Sequence, residues 1–166
     1  MSRYEEGLAI LEEKFGNGKD NVIGLATIAL DTTADGKPRP IVRDVDAHYE
    51  DGVFYVVTYA RSGKMRQIAQ NREVSLAVCF EWFTASAVGE NLGWVLKPEN
   101  EKLRAKLRKT FINWYDFANN ESDENCCILA VRMTNGIINI NHHETLYHMD
   151  FANKSATVTG KGAEAE

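Results

Sequence analysis

Residues suited to holding an anion stand close together in the first half of the chain: Arg43, and then the turn Ser62-Gly63-Lys64. The run from Val53 to Thr58 has strand composition, while Met65, Ile68 and Ala69 recur at helical spacing and Ser62 sits where an N-cap belongs. A strand that hands over to a helix start leaves backbone N–H groups without partners and concentrates partial positive charge. An anion docks there readily, the more so with Lys64 in the same turn. A phosphate suits both Ser62 and Lys64. Arg43 alternates with Ile41, Val45 and Ala47, which sets a guanidinium among residues that should face a core. A charge in that position calls for an anion, because stripping one partner from a buried ion pair costs about 3–5 kcal/mol. The anion is either a carboxylate of the protein or a group on a ligand. Asp44 and Asp46, the nearest carboxylates in sequence, fall on the opposite face of the same strand, which favours a ligand.

The elements that must position these residues follow from patterning. Ser2-x-x-Glu5 reads as a capping box, and Tyr4, Leu8, Leu11 and Phe15 share a helical face, so residues 1–16 form an N-terminal helix stopped by Gly16-Asn17-Gly18. Strands are expected over about 22–30, 39–48 and 53–58, with turns at Asp35-Gly36 and Asp51-Gly52. A helix over 64–71 leads to the clearest period of two, Val74 to Trp82, in which Trp82 continues the face of Val78 and Phe80. The next strand, about Thr84 to Val95, carries Gly89 and Gly93, whose positions suggest bulges. Pro98 opens a helix over 98–118 with Leu103, Leu107, Phe111 and Trp114 or Tyr115 on one face. Strands are expected again at about 126–133, 136–141 and 145–151, and residues 155–166 read as a loosely held tail. Short turns and inward alternation without βαβ units imply an antiparallel meander that closes into a small barrel with helices outside.

Length and composition narrow the function. The 166 residues suit one domain, and a net charge of −5 argues against a general binder of nucleic acid or anionic membrane. The basic residues of the 98–118 helix read as a solvated face. No apolar run reaches the length of a membrane span and no signal peptide is evident, so a cytoplasmic protein is expected. Cys79, Cys126 and Cys127 suggest neither a disulfide framework nor a zinc site. His142, His143 and His148 lack acidic or cysteine ligands at metal-binding spacing, so no metal is expected there. No Ser-His-Asp or Cys-His arrangement stands out, and no catalytic side chain is assigned.

Taken in order, these pieces resemble the pyridoxamine 5′-phosphate oxidase-like FMN-binding split barrels. The resemblance spans about Val22 to Val95. It rests on Gly36-x-Pro38, Pro40-Ile-Val-Arg43-Asp-Val45, Asp51-Gly52, the aromatic strand ending at Thr58, Ser62-x-Lys64, Gln67-Ile68 and Asn71-x-x-Val74. It implies a mainly β fold, an antiparallel split β-barrel with peripheral helices over the barrel core 22–95. It implies FMN held by Arg43, Thr58, Ser62, Gly63, Lys64 and Gln67, with backbone of Asp44, Val45 and Val57 against the ring. It further implies a homodimer with the flavin at the subunit interface and a small-molecule substrate, with NAD(P)H as a candidate partner. Many relatives carry arginine where Gly63 stands, which shifts the phosphate's reliance onto Arg43, Lys64 or Arg61. The true vitamin B6 oxidases also have an arginine- and histidine-bearing C-terminal segment, which Tyr147 to Phe151 and onward do not resemble. The likeness is to the general-stress-protein and nitroimidazole-reductase branches. An FMN-dependent oxidoreductase is therefore expected. The alternative is a non-catalytic sensor, carrier or storage protein holding a flavin, a deazaflavin or haem, with His48 or His148 as haem ligands.

Overall fold

Turn chemistry and alternation account for most of the elements seen in the computed structural model, which describes residues 1–161. Helix α1 (Arg3–Phe15) begins with the capping box, both reciprocal bonds between Ser2 and Glu5 being present. Strands β1 (Asn21–Thr32), β2 (Pro38–Glu50) and β3 (Val53–Tyr59) form a meander. The β2–β3 turn places Asp51 and Gly52 at φ of 47° and 79°, as a tight hairpin of right-twisted strands requires. Helix α2 (Gly63–Gln70) returns the chain to β4 (Glu73–Val78), which pairs with β1 and with β5 (Phe83–Trp94). Then come α3 (Glu101–Thr110), α4 (Tyr115–Ala118), β6 (Cys126–Ile140), β7 (Thr145–Asp150) and β8 (Ser155–Gly160).

The strand order is β3-β2-β1-β4-β5-β6-β7-β8, and β3 also pairs with β6. Six antiparallel strands thus close into a barrel, and β7 and β8 extend the sheet beyond it. The fold is a split β-barrel with helices at its periphery. The N-terminal half of β6 closes on β3, from Tyr59 opposite Cys126 to Val53 opposite Arg132. Its C-terminal half, from Asn135 onward, pairs instead with β7.

Inside the barrel, Ile23, Leu25, Phe54, Leu76, Phe83, Leu129 and Val131 are buried, and Phe15 of α1 plugs one end against the rings of Tyr49, Phe54 and Phe83. Helix α1 lies against β7 and β8. Its Gly7 is a close-approach residue, since a Cβ there would meet the Met149 sulfur at 2.3 Å. A smaller cluster outside the barrel packs Leu107, Phe111 and Tyr115 onto Val57, Val95, Cys126 and Ile128. Cys127 belongs to the barrel core and Cys126 to this outer cluster, as neighbours on a strand must. All three cysteines are free.

Several expectations are corrected. The period of two does not run to Trp82: β4 ends at Val78, and Phe80 and Trp82 are largely exposed on left-handed backbone. Pairing Val78 with the buried Phe83 forces the four residues between them into a turn, so burial of Phe83 overrides the local alternation. The helix expected over 98–118 is a 3₁₀ turn at Pro98–Asn100, then α3 and α4 separated by a break at 111–114. The strands expected at 126–133 and 136–141 are one strand, because Asn135 and Gly136 stay paired with β5 on one side and β7 on the other; Gly136 serves close packing, since a Cβ there would press on Phe151, Ala85 and Phe83. The tail expected from 155 is strand up to Gly160, with Ala156 and Val158 half-buried beneath a mainly polar composition. Residues 162–166 of that tail lie outside the described residues. Of the two glycines expected to mark bulges, Gly93 lies at a register shift of β5. Gly89 instead makes room for Ile68 of α2.

Candidate functional site

Arg43 points from β2 toward β1 and α2. Its Nη1 donates to the Thr27 hydroxyl at 2.6 Å and to the Leu25 carbonyl at 3.2 Å, and its Nη2 donates to Gln67 Oε1 at 2.9 Å. Thr27 in turn donates to the same Gln67 oxygen at 2.6 Å. Every acceptor is neutral. Among the described residues no carboxylate lies within ion-pairing distance of Arg43, and its burial works against its charge.

The turn after β3 supplies a second cation. Ser62 is the N-cap of α2, yet its side chain makes no capping bond, and its Oγ is a buried polar atom without a hydrogen-bond partner. Lys64, one residue into the helix beyond Gly63, is half-buried and has neither a hydrogen bond nor an ion pair among the described residues. Burial, then the charge of Arg43, pushes the Lys64 ammonium below its ordinary pKa. Two like charges with no protein anion, an orphaned hydroxyl and the start of a helix therefore converge. A bound anion would satisfy the Ser62 hydroxyl, the first-turn amides and Lys64, and offset the Arg43 charge.

Lys64 opens onto a cavity of about 530 Å³. One wall is formed by β2 and β3, including Asp44, Val45, Val57 and Thr58, and the other is the chain around α4, with Trp114, Ala118 and Asn119. The cavity is basic at the Lys64 end and otherwise carries Asp44, Asp46 and Asp123. Asp46 is raised above the usual carboxylate range by burial and by neighbouring Asp20, which also accepts a hydrogen bond from Trp114 Nε1 at 2.9 Å.

The α4 wall is held from behind. Glu121 accepts from Arg104 Nε and Nη2 at 2.7 and 2.6 Å and from the Tyr115 hydroxyl at 2.8 Å, while its carbonyl accepts from Trp94 Nε1. Of the residues singled out in the sequence, Asp44, Val45, Val57, Thr58 and Lys64 line the cavity, and Ser62 and Gly63 immediately precede Lys64. Arg43 and Gln67 do not line it; they hold one another directly, and Thr27 bonds to both. Sequence reasoning missed Thr27, which looks like an ordinary strand residue, and the 114–123 wall. His48 is buried against the Thr110 hydroxyl at 2.8 Å and His148 contacts Thr159. Among the described residues no group of three or more metal-ligating side chains occurs.

No family profile and no curated protein sequence matches this chain. Solved structures do. General stress protein 26 from Bacillus anthracis superposes with a TM-score of 0.56 at 16% identity, over 78% of this chain and 91% of that one. A pyridoxamine 5′-phosphate oxidase-related, FMN binding protein from Nostoc punctiforme gives 0.54 at 14% identity, over 96% of both chains. The chain shares the split-barrel fold of these proteins. A third split barrel, a heme binding protein from Mycobacterium smegmatis, gives 0.60 at 16% identity over 91% of this chain and 59% of that one. Within this shared fold the ligand named differs from one protein to the next, so the residues of the site must carry the functional argument.

Proposed function

We propose that this protein is an FMN-dependent oxidoreductase acting on a small molecule, and that it works as a homodimer with the flavin at the subunit interface. The observation that carries the reading is the buried, partnerless Ser62 hydroxyl beside the unpaired Lys64 at the start of α2. A phosphate monoester at that point accepts from the hydroxyl, from the first-turn amides of α2 and from the ammonium. Arg43, fixed by Thr27 and Gln67, adds positive field. Thr58 and the edges of β2 and β3 offer polar atoms and flat backbone for the rest of the cofactor, and Val45, Val57 and Trp114 exclude water. The flavin, when bound, supplies hydride or electron transfer; the protein binds, orients and shields it.

Lys64→Ala removes one charge-assisted bond, each worth about 1.5–3 kcal/mol, so FMN affinity is expected to fall roughly ten- to a hundredfold. Flavin fluorescence quenching measures it, and an unchanged dissociation constant overturns the assignment.

A second reading, a non-catalytic binder of a flavin, a deazaflavin or haem, draws support from the fold shared with the heme binding protein. Histidine placement favours the first: no histidine lines the cavity beside Lys64, and His48 is already committed to Thr110. Anaerobic addition of NADH or NADPH to the FMN-loaded protein separates the two. Bleaching of the flavin absorbance within minutes is the oxidoreductase result; a spectrum that stays oxidised with both donors is that of a binder.

A further inference from the structure

Beside the Lys64 cavity lies a larger hollow of about 780 Å³, and Asp44 lines both. Its floor is the outer surface of β1 and β4, where Gly24 and Ala77 stand opposite each other. Residues this small let a flat molecule approach the backbone closely. Its rim is aromatic. Phe80 and Trp82, 89% and 59% exposed, project from the β4–β5 turn, and His143 comes from the β6–β7 turn, its ring centre 6.1 Å from that of Trp82.

This rim is built, not merely exposed. Asn139, itself buried, holds His143 twice, accepting from its backbone N–H and contacting its ring Nδ1, each at 2.6 Å. The β4–β5 turn is tied to α1 by the Lys14–Glu81 ion pair at 2.6 Å. Two rings are thus set at the mouth of an apolar hollow of small-ligand size. Apart from His143, Asp44 is the only ionisable group of the lining besides the Cys79 thiol, so the hollow disfavours anions and accepts neutral or positive molecules.

We infer that this hollow binds a planar aromatic molecule, neutral or cationic, seated between the Gly24–Ala77 floor and the Trp82–His143 rim, and that this is the substrate class presented to the flavin across Asp44. The second part rests on the flavin reading above; the binding itself does not. A small ring fits better than a protein surface because the site is concave, has one acid in its lining and shares that residue, Asp44, with the neighbouring cavity.

The test uses the full-length protein freed of flavin and three probes that share one ring system: naphthylmethanol, naphthylmethylammonium and naphthoate. Cys79 lines the hollow and is exposed, whereas Cys126 and Cys127 are buried, so the rate of thiol modification reports occupancy. The neutral and cationic probes are expected to slow Cys79 labelling saturably, and naphthoate to bind about tenfold more weakly or worse. Trp82→Ala should weaken the neutral probe about tenfold, while Trp82→Phe retains most of its affinity. Absence of protection by all three probes overturns the inference, as does equal protection by naphthoate. It is also overturned if Cys79 is already shielded in a dimer that Trp82→Ala converts to monomer, because the face is then a subunit contact. FMN titration of the same preparations keeps the two readings apart: probes that fail while FMN binds sink only this inference, whereas probes that bind while FMN does not sink the flavin assignment and the substrate role built on it, leaving the aromatic site itself standing.

Discussion

Arg43 illustrates how much a single side chain can carry. Its placement on the inward face of β2 was readable from alternation, and so was the failure of Asp44 and Asp46 to reach it. What could not be read was its actual environment, the Thr27 hydroxyl and the Gln67 amide, because a threonine among β-branched neighbours carries no signal that separates a strand former from a hydrogen-bond anchor. Those neutral acceptors fix the guanidinium without discharging it. Gly63 is the complementary case. It stands where many of the split barrels this sequence resembles carry arginine, and a Cβ built there has nothing within 4 Å. Gly63→Arg is therefore expected to be tolerated and to add a cation at the phosphate end. FMN should bind about tenfold more tightly, in line with one further charge-assisted bond, with little change in thermal stability. Titration by flavin fluorescence checks it; weaker binding in a folded variant would place the phosphate elsewhere.

At the level of elements, the barrel strands were legible because one face of each is buried, and period-two patterning reports that burial directly. The misreadings share a cause. Phe80 and Trp82, Gly136 and the β8 strand were decided by contacts distant in sequence: Phe83 entering the core, Phe151 and Ala85 crowding β6, and α1 covering β8. The cavity wall at 114–123 was missed for the same reason, since the ties that shape it converge on Glu121 from Arg104, Tyr115 and Trp94.

These ties are pH-dependent with a definite sign. Hydrogen bonds from Arg104, above all, hold the Glu121 carboxyl below the ordinary glutamate range. The folded protein therefore binds this proton less readily than the unfolded chain does. The stabilisation is complete above the unfolded glutamate pKa and is lost as pH falls through the lower, folded value. Glu121→Gln is expected to cost on the order of 1 kcal/mol at about pH 7. The gap from the parent protein should narrow in acid, as measured by thermal unfolding across a pH series. A gap that widens in acid would show that Glu121 is not the group being titrated.

For the molecule as a whole, the surface left uncovered is informative. Helices α3 and α4 cover β3 and β6, and α1 closes one end, but Leu30 of β1 and Val42 of β2 remain in solvent, Val42 with 70% of its surface exposed. No described helix is long and apolar enough to cross a membrane. A second copy laid on β1 and β2 would cover these residues and complete the shelter around a flavin. Val42→Lys is accordingly expected to shift the protein from dimer to monomer in sedimentation at micromolar concentration and to weaken FMN binding along with it. Dimers that persist unchanged would exclude this face as the contact.

The closure of β3 onto β6 also orders events in time. Val53 and Arg132 are partners in the ladder but lie far apart along the chain, so during synthesis β3 exists for a long interval with one edge unpaired. Loop closure over such a span is slow, and an open hydrophobic edge invites association with other chains. Cys126, which belongs to β6, also lines the cavity beside Lys64. That compartment is not complete until the ribosome has released β6. Any ligand held there is therefore taken up only after β6 has joined β3, however early Lys64 and its helix have formed.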